Sequence, residues 1–120
     1  MTQRSRIWSV AVLAAGLWSG LALAHAKLLS SDPAADATVS SPKNIHLQFN
    51  EVIVARFSSF KLTDTDGDAV AMMSMKAPDD ESIDAMPTSK LAPGLYTVTW
   101  TAVSTDDGHK TMGSFSFTVQ

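Results

Sequence analysis

The chain has 120 residues, no cysteine and a formal net charge of −3, with 12 acidic against 9 basic residues. This acidic balance argues against a nucleic-acid partner, which would require clustered Lys and Arg. The absence of cysteine excludes disulfides, cysteine-based zinc sites, thiolate catalysis and the blue-copper ligand set, so a metal site must use His, carboxylate, Met or backbone groups.

The first 24 residues have the pattern of an export signal. Arg4 and Arg6 precede a small and apolar run over residues 7–24, and Ala22-Leu23-Ala24 matches an A-x-A cleavage site. The run is near the lower length limit for a membrane-spanning helix and contains serine. We therefore expect cleavage after residue 24 and no stable membrane insertion afterwards. The single domain that remains, residues 25–120, has a formal charge of −5 because Arg4 and Arg6 are lost with the signal.

After the signal, apolar and polar residues alternate with a period of two, which is typical of half-buried strands. The clearest segments, in chain order, are residues 45–49, 96–100 and 115–119. Turn signals lie between the segments, at Ser41-Pro42, Asp66-Gly67, Ala92-Pro93-Gly94 and Asp107-Gly108. Several short strands separated by such turns predict an all-β fold, either an antiparallel sandwich of the immunoglobulin type or a small Greek-key barrel.

Three stretches are patterned less clearly. Residues 52–60 fit either a bulged strand or a short helical turn. Residues 76–90 are polar, and we expect them to include a solvated loop. Asp66-Gly67 predicts a hairpin turn between residues 60–62 and 69–71.

His25 would be the first residue of the processed chain. Cleavage would give it a free α-amine close to its imidazole, so that the amine and Nδ1 can chelate one metal ion. In Asp107-Gly108-His109, just before the last predicted strand, side chains at i and i+2 can project to the same side of an extended segment. Each signal also has a plain alternative, because first residues usually fray and Asp-Gly is a turn signal by itself.

Together, the amine, two imidazoles and a carboxylate form a set of nitrogen and oxygen donors. Cu(II) is the divalent ion that such a set prefers, by ligand type and by affinity order. Zn(II) is the main competitor, since two histidines and a carboxylate can hold it tetrahedrally. The chelating amine favours Cu(II), so we expect one Cu(II) ion per chain at His25, Asp107 and His109.

Two further polar residues lie in or next to the segment 45–49. Glu51 follows the parity of the apolar residues there, and a carboxylate on the core-facing side needs a partner. It either hydrogen-bonds the terminal amine or a ligand imidazole, with occasional direct coordination, or it is a solvated strand end. His46 has the opposite parity and is interpreted as a surface residue, not a ligand.

Two other metal-site patterns fit less well. Residues 64–68 are rich in aspartate, but an EF-hand loop would need Gly and Glu where Ala69 and Met75 stand. Met72, Met73 and Met75 carry thioethers that suit Cu(I). Methionine more often fills gaps in a core, and no histidine lies near this cluster in sequence, so we do not expect a Cu(I) site there.

Three segments of the processed chain form a specific combination. They are His25-Ala26-Lys27-Leu28-Leu29-Ser30-Ser31-Asp32-Pro33-Ala34, Leu47-Gln48-Phe49-Asn50-Glu51, and the stretch from Tyr96-Thr97-Val98-Thr99-Trp100 through Asp107-Gly108-His109 to Gly113-Ser114-Phe115. In combination they resemble the CopC family of periplasmic copper-resistance proteins. The resemblance implies a Greek-key, immunoglobulin-like or cupredoxin-like β-barrel that binds Cu(II) with high affinity. It also implies His25 with its amine, Asp107 and His109 as ligands, with Glu51 beside the site.

The resemblance further implies partnership with an inner-membrane copper protein of the CopD type. Some members of the family have a Met-rich Cu(I) site in the loop after the strand that matches residues 60–62. Here that loop is the acidic stretch 63–68, and the methionines come later. A single-site Cu(II) carrier or store therefore fits this chain better.

Two other functional classes remain as alternatives. An N-terminal histidine and a second histidine also form the copper brace of oxidative polysaccharide-cleaving enzymes. Asp107 would fill coordination space that oxygen activation needs, the domain is small, and no aromatic platform for a glycan is evident. An immunoglobulin-like interaction module would bind no stoichiometric metal. The ligand set and the export signal favour a non-enzymatic copper-binding protein.

Overall fold

The computed structural model describes residues 25–120, and the export signal expected at residues 1–24 lies outside the described part. Its eight strands are β1 Leu28–Asp32, β2 Thr38–Val39, β3 Ile45–Phe49, β4 Ser59–Thr63, β5 Met72–Met75, β6 Ser82–Pro87, β7 Gly94–Val103 and β8 Lys110–Val119. One sheet has the order β1-β3-β6-β5 and the other the order β2-β8-β7-β4. All neighbours are antiparallel except β2 and β8. The sheets form a Greek-key β-sandwich, which confirms the predicted all-β class.

The core lies between the two sheets and follows the alternation seen in the sequence. Ile45, Leu47 and Phe49 of β3 are at most 1% exposed, and Val98 of β7 is fully buried. Each side chain of this size contributes about 1.5–3 kcal/mol when it leaves water. The described residues contain no helix long and apolar enough to cross a membrane.

Trp100 of β7 lies across Gly113 of β8, its register partner. A Cβ atom at position 113 would lie 2.5 Å from Cζ2 of the indole. Phe49 packs edge-on against the same indole, with the ring centroids 5.2 Å apart. Glycine at this position therefore makes room for the largest aromatic ring of the core.

Residues 52–60, for which the sequence allowed two structures, combine a helical turn with the start of a strand. Ile53 forms an isolated bridge with Ser104. A 3-10 turn follows at Ala55–Phe57, and β4 begins at Ser59. The bridge attaches this segment to the end of β7, next to the β7–β8 loop, which we define as residues 104–109.

Residues 76–90 contain a strand that the sequence pattern did not reveal. The expected loop covers only the first part, and β6 lies in the interior of its sheet between β3 and β5. Ala85 of β6, the register partner of the core residue Ile45, faces inward and is buried. Asp84 faces outward but contacts His46 of β3, so its polarity reflects a cross-strand partner and not a solvated loop.

The turn predicted at Asp66-Gly67 is present and closes a short hairpin, since Thr63 and Ala69 form an antiparallel bridge and the Val70 N–H donates to the Leu62 carbonyl at 2.9 Å. Gly67 has a φ of +83°, a conformation that glycine adopts without steric cost. Asp64 Oδ1 accepts hydrogen bonds from the backbone N–H groups of Asp66 and Asp68, each at 3.0 Å. The chain then passes from β4 in one sheet to β5 in the other, so the aspartates serve as turn residues.

Candidate metal centre

The β7–β8 loop places Asp107 and His109 side by side. Ser104 closes the loop at its base, since its carbonyl accepts from the Gly108 N–H at 2.9 Å and its N–H donates to the His109 carbonyl at 3.0 Å. Gly108, with a φ of +67°, allows the turn between the two candidate ligands. The His109 N–H donates to Asp107 Oδ1 at 3.0 Å. One carboxylate oxygen is thus used inside the loop, and Oδ2 is left for another group.

His25 lies against this loop. Its ring stacks on the ring of His109, with centroids 4.0 Å apart and an angle of 27° between the planes. Its Nδ1 atom is 3.9 Å from Asp107 Oδ2. One potential ligand atom from each of the three residues lies within 4.8 Å of the others. The structure therefore brings together the three residues that the sequence predicted as ligands.

The Nδ1 atom of His25 is in an unusual position for a polar atom. Among residues 25–120 it is the one buried side-chain nitrogen or oxygen that lacks a hydrogen-bond partner. The side chain as a whole is 43% exposed, so the ring edge faces solvent while this nitrogen faces Asp107. An unpaired buried nitrogen is costly. A cation bound between Nδ1, the carboxylate and the second imidazole would use its lone pair, so the donor set fits a divalent metal ion.

The charge of Asp107 favours a cation. The hydrogen bond from the His109 backbone N–H is the main cause that lowers the pKa of Asp107, and attraction to the imidazoles of His109 and His25 adds to it. A carboxyl group with a lowered pKa is ionised at neutral pH. Because metal ligands must be deprotonated to bind, Asp107 is ready to coordinate.

Glu51 follows the end of β3 and contacts the base of the β7–β8 loop. Its Oε1 accepts a hydrogen bond from Ser104 Oγ, and Ser104 is fully buried. The same Oγ accepts from the Asp106 N–H at 3.2 Å. The described partner of Glu51 is thus a loop residue and neither imidazole. Through Ser104, Glu51 contacts the base of the loop that carries Asp107.

His46 lies on the outward face of the β1-β3-β6-β5 sheet, as its parity predicted, but it is half-buried. Its Nδ1 is 2.6 Å from Asp84 Oδ1, and its Nε2 is 3.0 Å from Gln48 Oε1. Burial lowers the pKa of His46, but the hydrogen bonds to Asp84 and Gln48 and the charges of Asp84 and Asp79 outweigh it, so the pKa is raised. Both ring nitrogens of His46 are thus engaged by neighbouring side chains.

The methionines of β5 do not fill gaps in the core as a group. Met72 packs against the core, whereas Met73 and Met75 are 53% and 45% exposed. Met75 is the register partner of Asp84, which contacts His46. A histidine therefore lies on the same sheet as the cluster, a proximity that their distance in sequence concealed.

Two side chains that the sequence did not single out hold the backbone after His25. Thr111 Oγ1 donates to the Ala26 carbonyl at 2.8 Å. The Lys27 N–H donates to Asn50 Oδ1 at 2.7 Å, and the Asn50 N–H donates to the Lys27 carbonyl at 3.0 Å. Side chains that bond to backbone leave no residue-type pattern. The one available signal was that Asn50 and Thr111 stand close in sequence to candidate ligands.

Comparison with known proteins identifies the family. The sequence profile of the CopC domain matches residues 28–120. The chain is 39% identical over 124 residues to Copper resistance protein C of Xanthomonas campestris pv. juglandis, with 98% of this chain and 97% of the relative covered.

Two solved structures are similar in fold and sequence. One is PcoC, a methionine-rich copper resistance protein from Escherichia coli, with 38% identity, a TM-score of 0.75, and coverage of 81% of this chain and 100% of PcoC. The other is CopC from Methylosinus trichosporium OB3b, with 30% identity, a TM-score of 0.71, and coverage of 80% and 94%. The chain therefore belongs to the CopC family of copper-binding copper-resistance proteins, as its motifs predicted.

Proposed function

We propose that this chain is a periplasmic protein that carries or stores one Cu(II) ion at a site formed by His25, Asp107 and His109. The observation that carries the proposal is the buried, unpaired Nδ1 of His25, which faces Asp107 Oδ2 while the His25 ring stacks on the His109 ring. Three donor residues from two distant segments of the chain converge there. The site agrees with the copper-binding role of the family.

The α-amine of His25 is the fourth donor of the proposed site. If export processing ends the signal after residue 24, amine and Nδ1 belong to the same residue and chelate one ion. Three nitrogens and one carboxylate oxygen are a set that tetragonal Cu(II) prefers. Glu51 holds the β7–β8 loop through Ser104 and is available as an occasional further ligand.

A carrier role fits the exposure of the site. The His25 and Asp107 side chains are 43% and 39% exposed, so a partner can approach the ion. We infer that the ion is exchanged with an inner-membrane protein of the CopD type. No enzymatic role is proposed, because the Asp107 carboxylate takes up coordination space that an oxygen-activating copper brace leaves open.

The test compares two forms of the protein in Cu(II) titrations followed by electron paramagnetic resonance. One form begins at His25, and the other has one residue added before it, which converts the amine into a peptide nitrogen. We expect the first form to bind one Cu(II) with nitrogen hyperfine structure and the second to lose most of the affinity. Equal affinities and identical spectra would falsify the terminal-amine site.

A further inference from the structure

We propose that Asn50 and Thr111 are positioning residues that hold the N-terminal arm, residues 25–27, against Asp107 and His109 before copper binds. Neither residue has been placed among the ligands. The inference rests on the proposed function, because it states how the first ligand of that site reaches its place. It makes copper affinity depend on two residues that do not touch the ion.

Thr111 connects the arm to the strand that follows His109. Its hydroxyl is 2.8 Å from the Ala26 carbonyl and 3.4 Å from the Ala102 carbonyl, so the shorter hydrogen bond is the one to the arm. Side chains at i and i+2 of an extended strand project to the same side. The hydroxyl that binds the arm and the ring that stacks on His25 are therefore on one side of the chain.

Ala26 gives the arm its second attachment. The residue is 1% exposed and belongs to the hydrophobic core cluster. Its methyl group is fixed by packing while its carbonyl is fixed by Thr111. The residue directly after His25 is therefore packed as a core residue is, although first residues of a domain usually fray.

Asn50 extends the β1–β3 pairing by one step toward the site. Leu28 and Phe49 are register partners, and beyond them Lys27 and Asn50 exchange two hydrogen bonds. The Asn50 backbone donates to the Lys27 carbonyl, as in a strand ladder. The Asn50 side chain, however, accepts the hydrogen bond from the Lys27 N–H, in place of a backbone carbonyl. Asn50 is also the residue next to Glu51, so the arm and the loop support are anchored together.

The contribution of this anchoring to copper binding follows from population arithmetic. If only a fraction of the molecules hold His25 in place, the apparent affinity equals the intrinsic affinity multiplied by that fraction. Releasing the arm would make copper binding supply the ordering free energy of about one residue, which corresponds to about a tenfold loss of affinity. A held arm removes that cost.

The experiment uses the processed chain and five variants. Thr111→Val removes the hydroxyl at nearly constant shape, and Thr111→Ser restores it. Asn50→Ala removes the acceptor, and Asn50→Asp restores Oδ1. Thr99→Val makes the same change as the first variant at an exposed position of β7, where the side chain has no described hydrogen bond.

Each protein is measured in two states. In the copper-free state, nuclear Overhauser contacts between the His25 and His109 rings report whether the arm is held. In the loaded state, chelator competition gives the Cu(II) affinity, and the resonance spectrum reports the donors. We expect Thr111→Val and Asn50→Ala to lose the ring contacts and to bind Cu(II) about tenfold more weakly. The two restoring variants and Thr99→Val should behave as the parent does.

Each other outcome is decisive. If the ring contacts persist in both Thr111→Val and Asn50→Ala, other contacts hold the arm and the proposal is wrong. If the contacts are lost but the affinity is unchanged, positioning does not govern copper binding, and the proposal is again overturned. Should one of the two variants fail to fold, the other decides by the same measurements. If the parent binds Cu(II) equally well with a residue added before His25, the proposed site fails, whereas the copper-free ring contacts still show whether the arm is held.

Discussion

The His46 contacts predict that the copper-free fold is more stable in mild acid than in mild base. Both ring nitrogens face acceptors, Asp84 Oδ1 at 2.6 Å and Gln48 Oε1 at 3.0 Å, so the doubly protonated ring satisfies both. The Asp84 and Asp79 carboxylates are the charged groups that raise the pKa of His46. A raised pKa gives stability that is complete below the unfolded value near 6.5 and is lost as pH rises through the folded value.

The magnitude follows from the contact with Asp84. The two side chains are only 25% and 10% exposed, so solvent screens the pair weakly. A hydrogen bond to a charged group contributes about 1.5–3 kcal/mol. We therefore expect the free energy of unfolding to be about 1–2 kcal/mol higher at pH 5.5 than at pH 8.5, allowing for the part of the contact that the neutral ring keeps.

The assay is urea unfolding of the copper-free protein at the two pH values. The chain contains three histidines, so replacing His25 and His109 by alanine leaves His46 as the one histidine that titrates. In that background His46→Gln should abolish most of the difference between the two pH values. The reasoning is refuted if the protein that keeps His46 but has alanine at positions 25 and 109 is equally stable at both pH values, or more stable at the higher one.

Three further predictions concern the site and the core. His109→Ala and Asp107→Ala should each weaken Cu(II) binding with unchanged circular dichroism, the histidine more strongly because Cu(II) favours nitrogen; parent-like affinity of His109→Ala would remove it from the ligand set. Replacing the methionines of Met72–Met75 by leucine should leave Cu(II) affinity unchanged in chelator competition, and a large loss of Cu(I) affinity would instead indicate a second site. Gly113→Ala should destabilise the fold by about 1–3 kcal/mol in urea, because the added carbon overlaps the Trp100 indole; unchanged stability would mean that the indole can move aside.

Alternation made the strands with one buried face predictable. β3, β7 and β8 were found because their inward residues are large and apolar, and the sandwich followed from their spacing. β6 was hidden because its outward Asp84 pairs with His46, and a sequence does not distinguish a paired aspartate from a solvated one. The length of residues 76–90 suited a loop. Part of this stretch instead forms β6, whose place between β3 and β5 depends on contacts between residues that are far apart in the chain.

Chemistry made the candidate ligands predictable, while through-space contacts determined how they are held. His25 was found from the chelate that a processed N-terminus allows, and Asp107 and His109 from their spacing. Ser104, Asn50 and Thr111 hold these residues mainly through bonds to backbone groups and one carboxylate. Such bonds impose no motif, so only the folded chain reveals them.

The two candidate imidazoles come from opposite ends of the domain and from opposite sheets. His25 precedes β1, the first strand of one sheet, and His109 precedes β8 of the other. A copper ion between them would cross-link the layers and close nearly the whole domain into a loop, in a chain that has no disulfide to do so. A ligand that binds only the folded state adds about 2.7 kcal/mol of stability at a hundred times its dissociation constant. Bound copper would thus raise the resistance of the protein to unfolding and proteolysis, and the copper-free carrier would be the form most readily degraded.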